Sequence, residues 1–229
     1  MIQLFQKYGI TINEKQEQKF KKLLELFLDW NSKINLSAIR EPDEIIKKHF
    51  IDSLLITKHF EMNEKNILDL GAGGGFPSLP LAIMTNSKVT ALDSVGKKMK
   101  AVQSMADVLG LTINTIHGRA EDFAKDPKYR EQFDMVISRA VASWPTLLEL
   151  TLPFVKKEGS FIAYQGPAIR EELNNFIGLE KAFGGDFEVL AEDKIDDEER
   201  LFVEIFKEKK CSKEFPRKAG EAKRNPVSL

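Results

Sequence analysis

Residues Asp69-Leu70-Gly71-Ala72-Gly73-Gly74-Gly75-Phe76-Pro77 place four glycines directly after an apolar run, Asn66–Leu70, and directly before a helix that Pro77 can open. Glycine in a strand-to-helix turn costs backbone entropy. It is kept where the chain must bend sharply or where a ligand comes so close that a Cβ would collide. The loop predicts a sheet with a ligand site at the carboxyl edge of its first strand. The surrounding pattern agrees: apolar and β-branched runs at Asn66–Leu70, Lys88–Leu92, Ile113–His117, Asp134–Ser138, Gly159–Tyr164, Glu188–Asp193 and Leu201–Phe206 alternate with helical stretches, as βαβ units do. Lys194 to Arg200 is too short for a crossover helix, so the last two runs are expected to pair as an antiparallel hairpin. The predicted architecture is a doubly wound, seven-stranded α/β sheet whose last strand is antiparallel.

Upstream the texture is helical. Asn13 and Gln16 form a capping box, and Phe20, Leu23, Leu24, Phe27, Trp30 and Ile34 recur at three-to-four spacing. A second helix starts at Pro42, with Asp43 and Glu44 in its first turn, and runs through Ile45, Ile46, His49, Phe50 and Leu54. The expected organisation is a helical extension over residues 1–64, the sheet domain over 65–207 and a basic tail over 208–229. In that tail, Lys207 to Arg224 holds eight basic residues against three acidic, although the whole chain has a net charge of −1. A length of 229 residues with 42% hydrophobic side chains suits one large core with an extension. No stretch approaches the roughly 18 to 20 apolar residues of a membrane span, and the first residues are not those of a signal peptide. A cytosolic protein with no membrane partner is expected. Cys211 is the single cysteine and His49, His59 and His117 are scattered, so no metal centre is expected.

Which ligand the loop takes turns on Phe76. A dinucleotide fingerprint needs glycine there, where a diphosphate meets the helix N-terminus, so diphosphate binding is disfavoured. The order Asp69-x-Gly71-x-Gly73-x-Gly75 resembles instead the first motif of the Rossmann-like S-adenosylmethionine methyltransferases. Asp93 ends the second strand, placed for a carboxylate to accept ribose hydroxyls, which nicotinamide and methionine cofactors share. Gly118-Arg119-Ala120-Glu121-Asp122 follows the third strand. In such enzymes it would lie near the adenine, and equally Glu121 and Asp122 suit a helix N-terminus for electrostatic reasons alone.

Nearly the whole chain resembles one family, the bacterial ribosomal RNA small subunit methyltransferase G family, also called glucose-inhibited division protein B. The resemblance rests on Trp30-Asn31 with Ile34 through Ile39, on His49 through Leu54, on Asp69 through Pro77 with Pro80-Leu81-Ala82, and on Asp93-Ser94 with Gly96-Lys97-Lys98. It continues in Arg119-Ala120-Glu121, Ser138-Arg139-Ala140-Val141-Ala142 and Phe215 through Gly220. It implies a class I S-adenosylmethionine methyltransferase that methylates N7 of a guanine in the decoding-region loop of 16S ribosomal RNA, with the RNA or the small ribosomal subunit as partner. Matching positions imply cofactor contacts at Gly71, Gly73, Phe76, Ala120, Glu121 and Arg139, with Asp93 on the ribose. Arg217 and Lys218 would meet RNA. Where the family usually has Lys-Gly after the fifth strand, this chain has Gln165-Gly166.

The residues agree with that chemistry. Pyrimidine C5 methylation needs a thiolate, and Cys211 lies past the last strand, away from the cofactor edge. Exocyclic amine methylation usually employs an Asn/Asp-Pro-Pro-aromatic turn, and here the turn reads Ser138-Arg139-Ala140-Val141. Guanine N7 offers an in-plane lone pair and loses no proton, so it needs alignment and no general base. Arg139, at the end of the fourth strand, suits a methionine carboxylate, a phosphate or guanine O6, with an ion pair to Glu121 or another local acid as the lesser alternative. No residue is assigned as acid or base, and Arg139 would act by positioning. Trp30 reads as core, Trp144 as either core or a base-stacking surface, and His49 and His117 as packing or hydrogen-bonding groups. The competing classes are a nicotinamide-dependent oxidoreductase, against which Phe76 counts, and a non-catalytic adenosine-binding regulator.

Overall fold

The computed structural model describes residues 1–139 and 142–228, and each apolar run becomes a strand. These are β1 (Asn66–Leu70), β2 (Lys88–Asp93), β3 (Ile113–His117), β4 (Phe133–Ser138), β5 (Val155–Gln165), β6 (Gly185–Ile195) and β7 (Glu198–Lys207). They form one sheet in the order β3-β2-β1-β4-β5-β7-β6. β1 pairs in parallel with β2 on one side and β4 on the other, so the chain reverses its winding at β1. β7 runs antiparallel to both β5 and β6, which gives the single reversed strand. β5, β6 and β7 extend past the apolar runs because main-chain pairing continues through their charged ends, as at Lys194↔Glu199.

Two apolar layers cover the sheet. On one face, α5 (Ser78–Met84) and α6 (Gly96–Leu109) share a core with the helices upstream of β1, and Phe5, Phe20, Phe27, Phe50 and Phe76 continue into Ile67, Val89 and Ile137. The upstream helices are therefore part of that layer. The opposite layer contains α7 (Ala120–Phe123) and α8 (Trp144–Thr151), with Trp144, Leu147, Phe154, Phe161 and Phe183 packed on Leu68 and Val136. Trp144 is 1% exposed and stacks on Phe161, which settles it as core.

A short α1 (Ile2–Lys7), unmarked in the sequence pattern, precedes α2 (Glu14–Ile34). The capping box forms as read: Asn13 Oδ1 accepts from the Gln16 amide and Gln16 Oε1 from the Asn13 amide, both at 2.9 Å. The second helix departs from expectation. It begins as α3 (Pro42–Ile45), widens into a π-helix over Ile46–Ile51 and tightens again in α4 (Asp52–Leu54). A π turn holds one more residue than an α turn and leaves carbonyls open to partners outside the helix. Lys48 O is such a carbonyl, taken by Arg139, and the His49 carbonyl accepts the Ser53 hydroxyl.

The basic tail is packed down. Arg130 donates to Cys211 O, Ser212 O and Phe215 O, and Cys211, Pro216 and Ala222 are buried. Arg217 forks onto Glu149 of α8, with Nη2 2.6 Å and Nε 3.1 Å from Oε2, while the Glu149 side chain is 1% exposed. Removing one partner of a buried pair strands the other charge. Arg217→Ala is expected to lower folding free energy by about 2–3 kcal/mol in urea denaturation, and Glu149→Leu combined with Arg217→Met to recover most of it.

Candidate functional site

The glycine loop leaves β1 at the point where the winding reverses, which is where doubly wound sheets open a crevice. Its glycines serve different ends. A Cβ built on Gly73, at φ +55°, meets only Gly71 O at 3.9 Å, so a side chain there would fill open cleft. A Cβ on Gly74 would press on Phe27 at 3.2 Å and Leu36 at 3.3 Å, so that glycine lets α2 and the segment after it close over the loop. Gly71 N–H donates to Leu92 O at 2.8 Å, tying the loop to β2. Asp93, half-buried at the end of β2, accepts from Gly73 N at 2.9 Å through Oδ2 and from Val95 N at 2.8 Å through Oδ1. Its carboxylate is thus aimed at the loop, with lone pairs remaining on both oxygens.

Behind the loop, Asp69 is fully buried. Oδ2 accepts from the Ser78 hydroxyl at 2.6 Å and the Ser78 amide at 3.1 Å, and Oδ1 has no hydrogen-bond partner among the described residues. Burial pushes its carboxyl up to about 6, against the hydrogen bonds from Ser78. An orphaned acceptor beside an open backbone cradle suits a ligand that brings its own donor.

Arg139 sits where two clefts meet. The smaller, about 160 Å³, is lined by Gly71, Gly73, Phe76 and Ser37, and the larger, about 420 Å³, by Asp52, Tyr164, Gln165 and Arg200; Arg139 and His49 line both. Arg139 pairs with Asp52, not Glu121: Nη1 is 2.9 Å from Asp52 Oδ2 and 3.0 Å from Lys48 O. Arg200 Nε holds the other Asp52 oxygen at 2.7 Å and its Nη1 reaches Gln165 O at 3.3 Å. The guanidinium of Arg139 also lies 5.9 Å from the centre of the Phe76 ring. Phe76 is buried, stacked on His49 at 4.7 Å and edge-on to Phe27 at 5.0 Å, so its side chain is a wall of the aromatic core. His49 Nε2 is 2.9 Å from the Ser37 hydroxyl. Burial, aided by the charge of Arg139, lowers its pKa to about 4, which leaves the imidazole neutral at neutral pH.

The other expected residues are placed as follows. Ala120 opens α7, and Glu121, 7% exposed, accepts from Gly220 N at 2.7 Å, so the tail caps this part of the edge. Lys218 is exposed, whereas the Arg217 guanidinium is committed to Glu149. Trp30 is half-buried against the core with Lys33 over its ring at 5.7 Å. Ala140 and Val141 of the Ser-Arg-Ala-Val-Ala run lie outside the described residues. Asp52 and Arg200 were missed, because Asp52 pairs with Arg139 and with Arg200 across 87 and 148 residues, separations that no local spacing announces. Among the described residues no group of three or more metal-ligating side chains occurs, and no helix is long and apolar enough to cross a membrane.

A doubly wound sheet with a reversed last strand, opened at its switch point beside a glycine loop and a strand-end carboxylate, defines a class I methyltransferase fold. Solved structures of the same fold include TYW2 of P. horikoshii in complex with MeSAdo (TM-score 0.56, 20% identity, 69% of this chain and 62% of that one). Another is the YcgJ protein of Bacillus subtilis (TM-score 0.52, 14% identity, 70% and 100%). The chain belongs to the rRNA small subunit methyltransferase G family, whose profile matches residues 16–183. Ribosomal RNA small subunit methyltransferase G of Clostridium novyi (strain NT) is 43% identical over 223 residues, 95% of this chain and 92% of its own. That of Clostridium perfringens (strain 13 / Type A) is 43% identical over 224 residues, 96% and 94%.

Asp69 makes a pH signature. The folded chain keeps its proton up to about pH 6, whereas the unfolded chain loses it near the ordinary value, so the folded state binds more protons in between. This group's contribution to stability is full at low pH and falls as pH rises through that window, by about 3 kcal/mol. Asp69→Asn is expected to remove the slope. Urea denaturation of parent and variant at about pH 4 and about pH 7 measures it, and parallel pH profiles would refute it.

Proposed function

We propose that this chain transfers a methyl group from S-adenosylmethionine to N7 of a guanine in 16S ribosomal RNA. The observation that carries this reading is the junction of the two clefts at Arg139 and His49, where the acidic and basic side chains among the described residues are held by other parts of the chain, Glu172 by the Trp144 amide among them. Asp52 has both oxygens held by guanidinium groups, and His49 is a weak base with a pKa of about 4. Guanine N7 attack needs no deprotonation, so such a cleft suffices.

S-adenosylmethionine, when bound, supplies an electrophilic methyl carbon on a sulfonium. The open backbone at Gly73 admits it, Asp93 accepts its ribose hydroxyls, and the orphaned Asp69 oxygen and the Arg139 guanidinium match the two charges of its amino-acid end. Ala120 and Glu121 border the adenine side. The larger cleft receives the guanine: Arg139 faces its O6 edge, and Gln165 offers a neutral amide where the family resemblance implies a lysine. Lys218 meets the RNA backbone, and Arg217 acts at one remove by holding the loop that presents it.

Asp93→Ala removes charge-assisted hydrogen bonds of about 1.5–3 kcal/mol and should weaken S-adenosylmethionine binding by at least about tenfold in calorimetry, as should Gly73→Val by filling the cradle. Undiminished affinity in both would misplace the site. Labelled methyl transfer to small-subunit RNA from a strain lacking the enzyme, with the modified base mapped, tests the reaction itself. In single turnover the chemical step should stay flat between about pH 6.5 and about pH 8.5, and a rising limb traced to one side chain would overturn N7 transfer without a base.

A further inference from the structure

A separate groove of about 460 Å³ lies across α9 (Ile169–Asn175) from the guanine cleft, Glu172 lining one and Leu173 the other. Its walls are Trp144, Leu173, Phe176, Phe187 and Leu190, a size and lining usual for a binding site. The methyl-transfer reading uses none of it.

Three features say what fits there. Glu180 lines the groove at 5% exposure, and its carboxylate has no hydrogen-bond or ion-pair partner among the described residues. Its oxygens are open to the groove with no internal donor among the described residues, and Arg170 across the groove is already taken by Glu192 at 2.9 Å, so a donor brought by a ligand is the one that can meet it. Next, the surroundings are acidic: residues 170–194 carry seven acidic side chains against three basic, a field that repels phosphate and attracts a basic chain. Finally, the apolar surface runs past the cavity, since Ile177 and Phe187 are 73% and 44% exposed at its mouth, and β6 beside it is the outermost strand, with its outer main-chain edge free of ladder partners among the described residues. A small ligand would leave that margin uncovered. A chain segment covers it.

We propose that this groove docks a basic polypeptide segment of a partner protein, with a large apolar side chain seated against Leu173, Phe176 and Leu190, above the buried Trp144, and a neighbouring arginine or lysine donating to Glu180. The segment is held by complementary charge and apolar burial, on a surface distinct from the one that receives RNA.

The full chain provides its own reporter, because Trp144 lines the groove and Trp30, far away on α2, serves as control. The probe is the synthetic peptide Gly-Arg-Phe-Leu-Arg-Gly, compared with one carrying glutamate for both arginines and one carrying alanine for Phe-Leu. The arginine peptide is expected to shift the Trp144 indole resonance in a ¹⁵N spectrum and leave Trp30 in place, while both controls bind at least about tenfold more weakly. Glu180→Gln should cut affinity for the arginine peptide about fivefold to tenfold, and Phe187→Ser, at an exposed site that folding does not need, should do likewise. Methyl transfer to free 16S RNA should be unchanged in both variants. An unmoved Trp144 resonance at millimolar peptide, equal binding of the glutamate peptide, or a Trp144 shift produced by an RNA oligonucleotide in place of the peptide would overturn the proposal.

Discussion

One carboxylate, Asp52, joins three parts of the chain that are far apart in sequence. It is 1% exposed and lies between the guanidinium groups of Arg139 at the end of β4 and Arg200 in β7. Burying such charges costs several kcal/mol of lost hydration, which close opposite charges repay only in good geometry. The contribution of this cluster is placement more than stability. With two cations on one anion, the cluster keeps a positive face toward the cleft while both arginine side chains are held still. Arg139 is thereby pre-set at the seam between the two clefts, so little ordering remains for the moment of binding.

The helices before β1 supply the other half of that rigidity. Phe27 and Leu36 close on Gly74, and Phe76 leaves the loop to pack between Phe27 and His49. A glycine loop by itself is soft, and an aromatic wall on one side with Asp93 hydrogen bonds on the other makes it a defined surface. The same packing explains why a dinucleotide glycine has been replaced here by phenylalanine: that position faces a hydrophobic layer.

What could be foreseen followed from local order. The strands were legible because β-branched and apolar runs bury both faces of a parallel sheet, and the start of α2 because Asn13 and Gln16 satisfy each other within one turn. The glycine loop and Asp93 were legible because their chemistry is set by backbone conformation at a strand end. The tail shows where such reasoning stops. Arg217 looked like a free charge in a basic run, yet its partner Glu149 stands 68 residues away on a helix whose spacing marks that position as buried without naming what neutralises it. The widening of the helix at Ile46 was likewise invisible, since its apolar residues recur at intervals compatible with either winding.

That widening sets a rule about chain length. A π turn stores one residue beyond the α-helical count, and each residue of an α-helix turns the next by about 100°. Loss of a single residue from Ile46–Ile51 would let the segment relax to an ordinary α-helix with nearly the same overall turn, so the helices on either side would keep their facing while the widened turn closed. What closes is the carbonyl opening: Lys48 O, now offered to Arg139, would be claimed by the helical ladder itself. Substitutions in this stretch are matters of size and polarity, whereas a one-codon deletion there would take from Arg139 its main-chain acceptor and leave it to Asp52 alone, with the sheet intact.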